Sequence, residues 1–169
     1  RVLLRRAFIP ILLALWLILF VLGKNSTIFS NDTRKWELGK QSLYDRRHSA
    51  GFAEANHLIV VACHAVVKIE ALHHLLSDSS WYLLPYQKDQ GLPAIVQSHI
   101  HKGTQLTHHD PHSILIFSGG QTRRDVGPTS EAASYYYVGE HLGYNHGLHD
   151  RIYLEEFARD SFENLLFSI

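Results

Sequence analysis

The chain is 169 residues long, 46% hydrophobic and 19% charged, and its 16 basic and 16 acidic side chains leave a formal net charge of zero. With no basic surplus to neutralise phosphates, broad nucleic-acid binding is excluded. Cys63 is the single cysteine, so no disulfide can form within these residues.

The N-terminal end reads as a membrane anchor. Residues 1–6 form a basic stub with Arg1, Arg5 and Arg6, residues 7–23 carry no charge, and Lys24 follows. At about 1.5 Å per residue, a helix of that length approaches the roughly 30 Å hydrocarbon core, and Leu3, Leu4 and snorkelling arginines extend its reach. Three arginines before the run and one lysine after it put the N-terminus in the cytosol. A cleaved signal peptide is the rival. Its apolar region usually spans about 7–15 residues and ends at a small-x-small site, which Val21-Leu22-Gly23 supplies poorly. Residues 24–56 read as a polar lumenal stem with two sequons, Asn25-Ser26-Thr27 and Asn31-Asp32-Thr33, of which Asn31 is the better placed for glycosylation. The expectation is a single-pass type II membrane protein of the secretory pathway, in the Golgi or endoplasmic reticulum, held by this anchor with its domain lumenal.

Residues 57–169 carry the pattern of an α/β domain. Residues 57–67 are an apolar run rich in β-branched side chains, as expected of a buried central strand with both faces covered. Residues 92–107 have helical spacing through Ile95, Val96, His99 and Ile100. Residues 113–117 form a second buried strand that runs into Ser118-Gly119-Gly120. Residues 130–142 read as a helix opened by Gly127-Pro128-Thr129, and residues 151–154 as a short third strand. Strand and helix in alternation predict a Rossmann-like three-layer parallel sheet, preceded by one transmembrane helix. The start at Arg1 and the apolar run ending at Ile169 read as cut ends, so the C-terminal part of the domain is expected to be missing.

Ligands of open parallel sheets sit beyond the carboxyl ends of the strands. Those ends are Cys63 and His64, then Ser118 to Arg123, then Glu155 and Glu156. Gly119 and Gly120 allow close backbone approach and could turn N–H groups toward an anion, with Ser118 and Gln121 beside them and Arg123 as a fork for phosphate or carboxylate. A plain strand-to-loop turn is the alternative. Thr129 or Ser130 can cap the next helix, and Glu131 is favoured near the positive end of its dipole, or else faces the ligand as an acid or base. Glu155 and Glu156 are tandem carboxylates whose pKa values could be pushed apart, although strand alternation lets only one of them face the site. Asp160 with Glu163 fits a capping box for a terminal helix that also carries Asn164. The 13 histidines match no metal-ligand spacing and read as solvated side chains, His64 excepted for its strand-end position. Cys63 reads as a buried apolar filler.

Four segments in order carry a family resemblance: Ala62-Cys63-His64-Ala65, Phe117-Ser118-Gly119-Gly120-Gln121-Thr122-Arg123, Gly127-Pro128-Thr129-Ser130-Glu131-Ala132, and Glu155-Glu156-Phe157-Ala158-Arg159-Asp160-Ser161-Phe162-Glu163-Asn164. Together they resemble the domain of unknown function 218 family, the YdcF/SanA-like proteins, especially its fungal membrane-anchored members, over residues 57–169. Bacterial relatives have glycines where this chain has Cys63-His64. The resemblance implies a Rossmann-like α/β/α domain with charged residues at the strand ends, a link with envelope biogenesis, adenosylmethionine binding in one branch, and a chain that continues past Ile169. It supplies no settled reaction and no cofactor.

The leading expectation is an enzyme acting on a polar or anionic small molecule or glycan precursor. Gly119 and Gly120 would donate through their backbone, Arg123 would hold negative charge, and Glu131 with Glu155 or Glu156 would move protons. The alternatives are a non-catalytic module for a nucleotide-like, adenosylmethionine-type ligand and a membrane-tethered scaffold.

Overall fold

The computed structural model describes residues 50–123 and 125–169. The anchor, most of the stem, Asn25 and Asn31 lie outside the described residues. Among the described residues no helix is long and apolar enough to cross a membrane.

The elements run in the order α1 (Ala50–Ala53), β1 (His57–Ala62), β2 (Val66–Val67), β3 (Trp81–Tyr82), α2 (Leu92–His109), β4 (Ser113–Ser118), α3 (Glu131–His141), β5 (Ile152–Glu155) and α4 (Ser161–Ser168), with short 3₁₀ turns between β2 and α2. Strand β4, Ser-Ile-Leu-Ile-Phe-Ser, is buried at all six positions and pairs in parallel with β1 on one side and β5 on the other. The resulting three-stranded sheet has the order β1-β4-β5, and each crossover runs through one of the helices α2 and α3. The protein is an α/β domain built on a parallel sheet. Sequence patterning led to the same class because parallel strands need crossovers too long for turns.

Alternation along β4 divides the core. Leu115 and Phe117 pack with Val96 and Ile100 of α2 and with Tyr135 and Val138 of α3 in the main cluster. Ile114 and Ile116 face the other way, toward Tyr153 and Phe52. Helix α2 comes close to the sheet at Gly103, where an added Cβ would lie 2.7 Å from Val61 Cγ2 and 3.1 Å from Leu115 Cδ1. Helix α3 is capped by Ser130, whose hydroxyl accepts the Ala133 N–H at 2.9 Å, so Ser130 rather than Thr129 is the N-cap.

The first strand departs from its sequence reading in two ways. It stops at Ala62, and Val66 and Val67 pair antiparallel with Tyr82 and Trp81 in a separate two-stranded sheet. It is also an edge strand among the described residues, with Leu58 41% exposed, while β4 takes the centre. An apolar run records that side chains are apolar. It does not record whether a neighbouring strand pairs with them, and among the described residues β1 is paired on the β4 side alone.

Candidate functional site

The strand-end segments are bound to one another before any ligand is considered. Gly119 N–H donates to the Glu155 carbonyl at 2.9 Å, and Gly120 N–H to the Ala158 carbonyl at 2.7 Å. Both N–H groups are therefore used inside the fold, which corrects the expectation that they are donors aimed at an anion. Their carbonyls are used as well. Glu131 N–H donates to Gly120 O at 3.1 Å and Ala132 N–H to Gly119 O at 3.0 Å. With the Ala133 N–H on Ser130 Oγ and the Ser134 N–H on Ser130 O, the first turn of α3 has its amide donors satisfied within the fold.

The two glycines are required by crowding rather than by dihedral angle. A Cβ on Gly119 would sit 2.9 Å from Cys63 Cβ and 3.0 Å from Glu131 Cβ, and one on Gly120 would sit 2.7 Å from Ala158 O. Gly120→Ala should lower stability by about 1–3 kcal/mol, because a backbone carbonyl cannot rotate away as a side chain can. Thermal unfolding checks this, and an unchanged midpoint would show that the turn is looser than these contacts.

Glu155 is fully buried. Its Oε1 accepts the N–H groups of Phe157 at 2.6 Å and Ala158 at 3.0 Å, and its Oε2 accepts the hydroxyl of Ser118. Ser118 Oγ is also 3.0 Å from Asn164 Oδ1. This carboxylate holds the β5–α4 turn to the end of β4 and is not presented to solvent. Glu156 is half-buried and accepts the Ser130 hydroxyl at 2.7 Å. The strand ends at Glu155, so Glu156 stands just past it; each of the tandem carboxylates is engaged by a serine, and neither lines the cleft, which corrects the expectation that one faces it.

Beyond these ties lies a cleft of about 440 Å³. Of the residues singled out from sequence, His64, Arg123, Glu131, Asp160 and Asn164 line it. Ser118, Gly119, Gly120, Gln121, Ser130, Glu155 and Glu156 do not. Ser118 and Ser130 are buried beneath it, whereas Gln121 is exposed outside it.

Glu131 is buried, with Oε1 receiving the Thr122 hydroxyl at 2.5 Å. Burial pushes its carboxyl pKa up, and the Thr122 hydrogen bond and the Arg123 charge pull it back in part. His64 is half-buried with Nδ1 3.4 Å from the Tyr135 hydroxyl, and burial pushes its pKa down, with His99 and Arg123 adding to the effect. The result is a carboxyl moved upward and an imidazole moved downward on one cleft.

Arg123 acts as a clamp. Its Nη2 donates to His64 O at 3.3 Å and to Gln87 Oε1 at 3.0 Å, and its buried Nε has no partner in the fold. Asp160 caps α4, with Oδ1 accepting from Phe162 N at 3.0 Å and Glu163 N at 2.9 Å. The return half of the expected capping box is shifted by one residue. Glu163 Oε2 accepts the N–H of Arg159 at 2.8 Å instead, and its carboxylate also pairs with the Arg159 guanidinium.

Several lining residues escaped the sequence reading. Gln87 comes from a 3₁₀ turn, Pro85–Gln87, that carries no motif, and its amide donates to His64 O at 3.2 Å. Tyr86 stands exposed in the same turn, and Asp125 lies in an exposed loop. Thr122 stood inside a quoted motif, but only the tertiary contact to Glu131 marks it out. Cys63 is buried, and burial with the Glu131 charge pushes its thiol up, away from the reactive thiolate. Other histidines meet in pairs, such as His73 with His141 at 5.4 Å between ring centres, and among the described residues no group of three or more metal-ligating side chains gathers.

Compared with protein-family models, with curated proteins and with solved structures, the chain matches none of them.

Proposed function

We propose that this chain is an acid–base enzyme acting on a polar, hydroxyl-bearing small molecule or glycan precursor, with Glu131 as the proton-transfer group and His64 as its partner. The observation that carries this reading is the convergence of Glu131, His64, Asp160 and Asn164 on one cleft beyond the carboxyl ends of parallel strands, the usual ligand position in such sheets. Burial shifts the Glu131 carboxyl up from its ordinary value and the His64 imidazole down from its own, favouring the neutral form of each. Asp160 and Asn164 offer acceptors and an amide for hydroxyl groups. Arg123 positions the His64 loop through the His64 carbonyl. Glu155 and Glu156, held by serines and standing outside the lining, take structural roles in this reading.

The parallel sheet and strand-end cleft also support a Rossmann-like, YdcF/SanA-like assignment. The uncharged segment 7–23 and its flanking arginines support a type II tether with the domain lumenal. The test is turnover of hydroxylated and glycosidic substrates by the full chain in detergent, with Glu131→Gln expected to lower kcat about 10²–10⁴-fold. Saturable binding with no product from any substrate would instead favour the non-catalytic, adenosylmethionine-type module.

A further inference from the structure

A second cleft of about 370 Å³ adjoins the first, and the two share Leu84, Arg123 and Asp125. Its remaining wall comes from the small β2–β3 sheet and from the turns before and after β3. Lys68 stands directly after β2, Tyr82 ends β3, and Lys88 follows the 3₁₀ turn Pro85–Gln87. Lys68 is held in place. Its Nζ donates to the Ser79 carbonyl at 2.7 Å and lies 5.3 Å from the centre of the Tyr82 ring. An ammonium has three N–H donors, so that carbonyl uses one.

The two clefts differ in charge. The second is lined by three cations, Lys68, Lys88 and Arg123, against two carboxylates, Asp78 and Asp125. Asp78 is partly engaged, since its Oδ2 accepts the Asp89 N–H at 2.6 Å. The first cleft has Arg123 and the Glu163-paired Arg159 against three carboxylates, Asp125, Glu131 and Asp160. Arg123 stands where a carboxylate-rich cleft passes into a cation-rich one.

We propose that the second cleft is the anion-binding arm of a two-armed site, and that the ligand is a phosphate ester of a hydroxylated body. The phosphate group sits on Lys68 and Lys88, and the hydroxylated body reaches past Arg123 into the first cleft. Lysine binds phosphate as a point charge without a fixed fork, which suits an open cleft. The anion site stands on the lysines alone. The two-armed assignment rests on the first cleft being the reaction site.

The experiment titrates inorganic phosphate, and separately glucose 1-phosphate, into the full chain in detergent, by calorimetry. Lys88 is exposed, so Lys88→Glu should fold; Lys68→Met serves as the second variant, with melting curves taken for both. Inorganic phosphate should bind wild type and lose about tenfold or more in affinity in Lys88→Glu, as expected for removal of a charge-assisted contact. No phosphate binding to wild type, or equal binding to wild type and both folded variants, overturns the anion site. Glucose 1-phosphate bound no more tightly than inorganic phosphate overturns the two-armed assignment. These titrations do not depend on turnover, so a Glu131→Gln variant with full activity would remove the reading of the first cleft and leave the anion site of the second standing or falling on phosphate binding alone.

Discussion

Glu155→Ala should destabilise the domain by about 3–5 kcal/mol, a large share of the roughly 5–15 kcal/mol that holds a typical domain folded. The cost has identifiable parts. The alanine variant strips an acceptor from the N–H groups of Phe157 and Ala158 and from the Ser118 hydroxyl, and leaves a void at a position with 1% exposure. A buried polar group without a partner costs about 1–3 kcal/mol, which the Ala158 N–H incurs in full, and the partly buried Phe157 N–H and the void add to it. Glu155→Gln separates this account from a simple loss of charge. Its amide oxygen can still accept both backbone N–H groups. Its NH₂ would face Ser118 Oγ, and the Ser118 hydroxyl could turn to Asn164 Oδ1, 3.0 Å away. That variant should therefore lose only about 1 kcal/mol, the scale of one rearranged hydrogen bond. Chemical denaturation followed by near-ultraviolet circular dichroism reads both. Equal losses in the two variants would mean that charge, not the acceptor pattern, is what the site needs.

Glu155 also shows where sequence reasoning reached its limit. The alternation of strand and helix and the parallel sheet were legible, because each follows from local periodicity or from a rule about crossovers, whereas the choice of Ser130 over Thr129 as the cap was left open. Glu155 ends a strand and Glu131 opens a helix, and neither position reveals which carboxylate the fold encloses. One is enclosed by two backbone N–H groups and a serine. The other has a threonine on one oxygen and lines the cleft. The Gly119-Gly120 pair misled for a related reason. Glycines permit close backbone approach, and the pattern suggested a ligand as the approaching group, whereas the approaching group is the chain itself at Ala158, Cys63 and Glu131. Likewise the run 57–67 looked like one strand because every residue type in it suits a sheet. The break at residues 63–65, which puts Cys63 and His64 on the first cleft and turns Val66 and Val67 into a second sheet, is set by the partners Trp81 and Tyr82.

Glu131→Gln should move activity and stability in opposite directions. Activity falls about 10²–10⁴-fold, because an amide cannot exchange a proton with substrate. Stability is governed by a different feature of the same side chain. Burial raises the Glu131 pKa and outweighs the Thr122 hydrogen bond and the Arg123 charge. The folded state therefore holds its proton at pH values where the unfolded chain has already released it. As pH rises from the ordinary carboxylate range through the raised pKa, stability is lost, and above that pKa the wild type carries the full penalty of a buried charge. Glutamine never ionises, and its carbonyl oxygen can still accept from Thr122. The variant should match or exceed wild-type stability at neutral pH and vary less with pH across that window, while the two converge in acid. Denaturation midpoints measured from acid to neutral pH, set beside kcat, give both halves. A variant that is inactive and also less stable at neutral pH would mark Glu131 as a structural carboxylate like Glu155. One that keeps its activity would overturn Glu131 as the proton-transfer group and, with it, the reading of the first cleft as the reaction site. Opposite signs are the signature expected of a group whose burial serves chemistry at some cost to the fold.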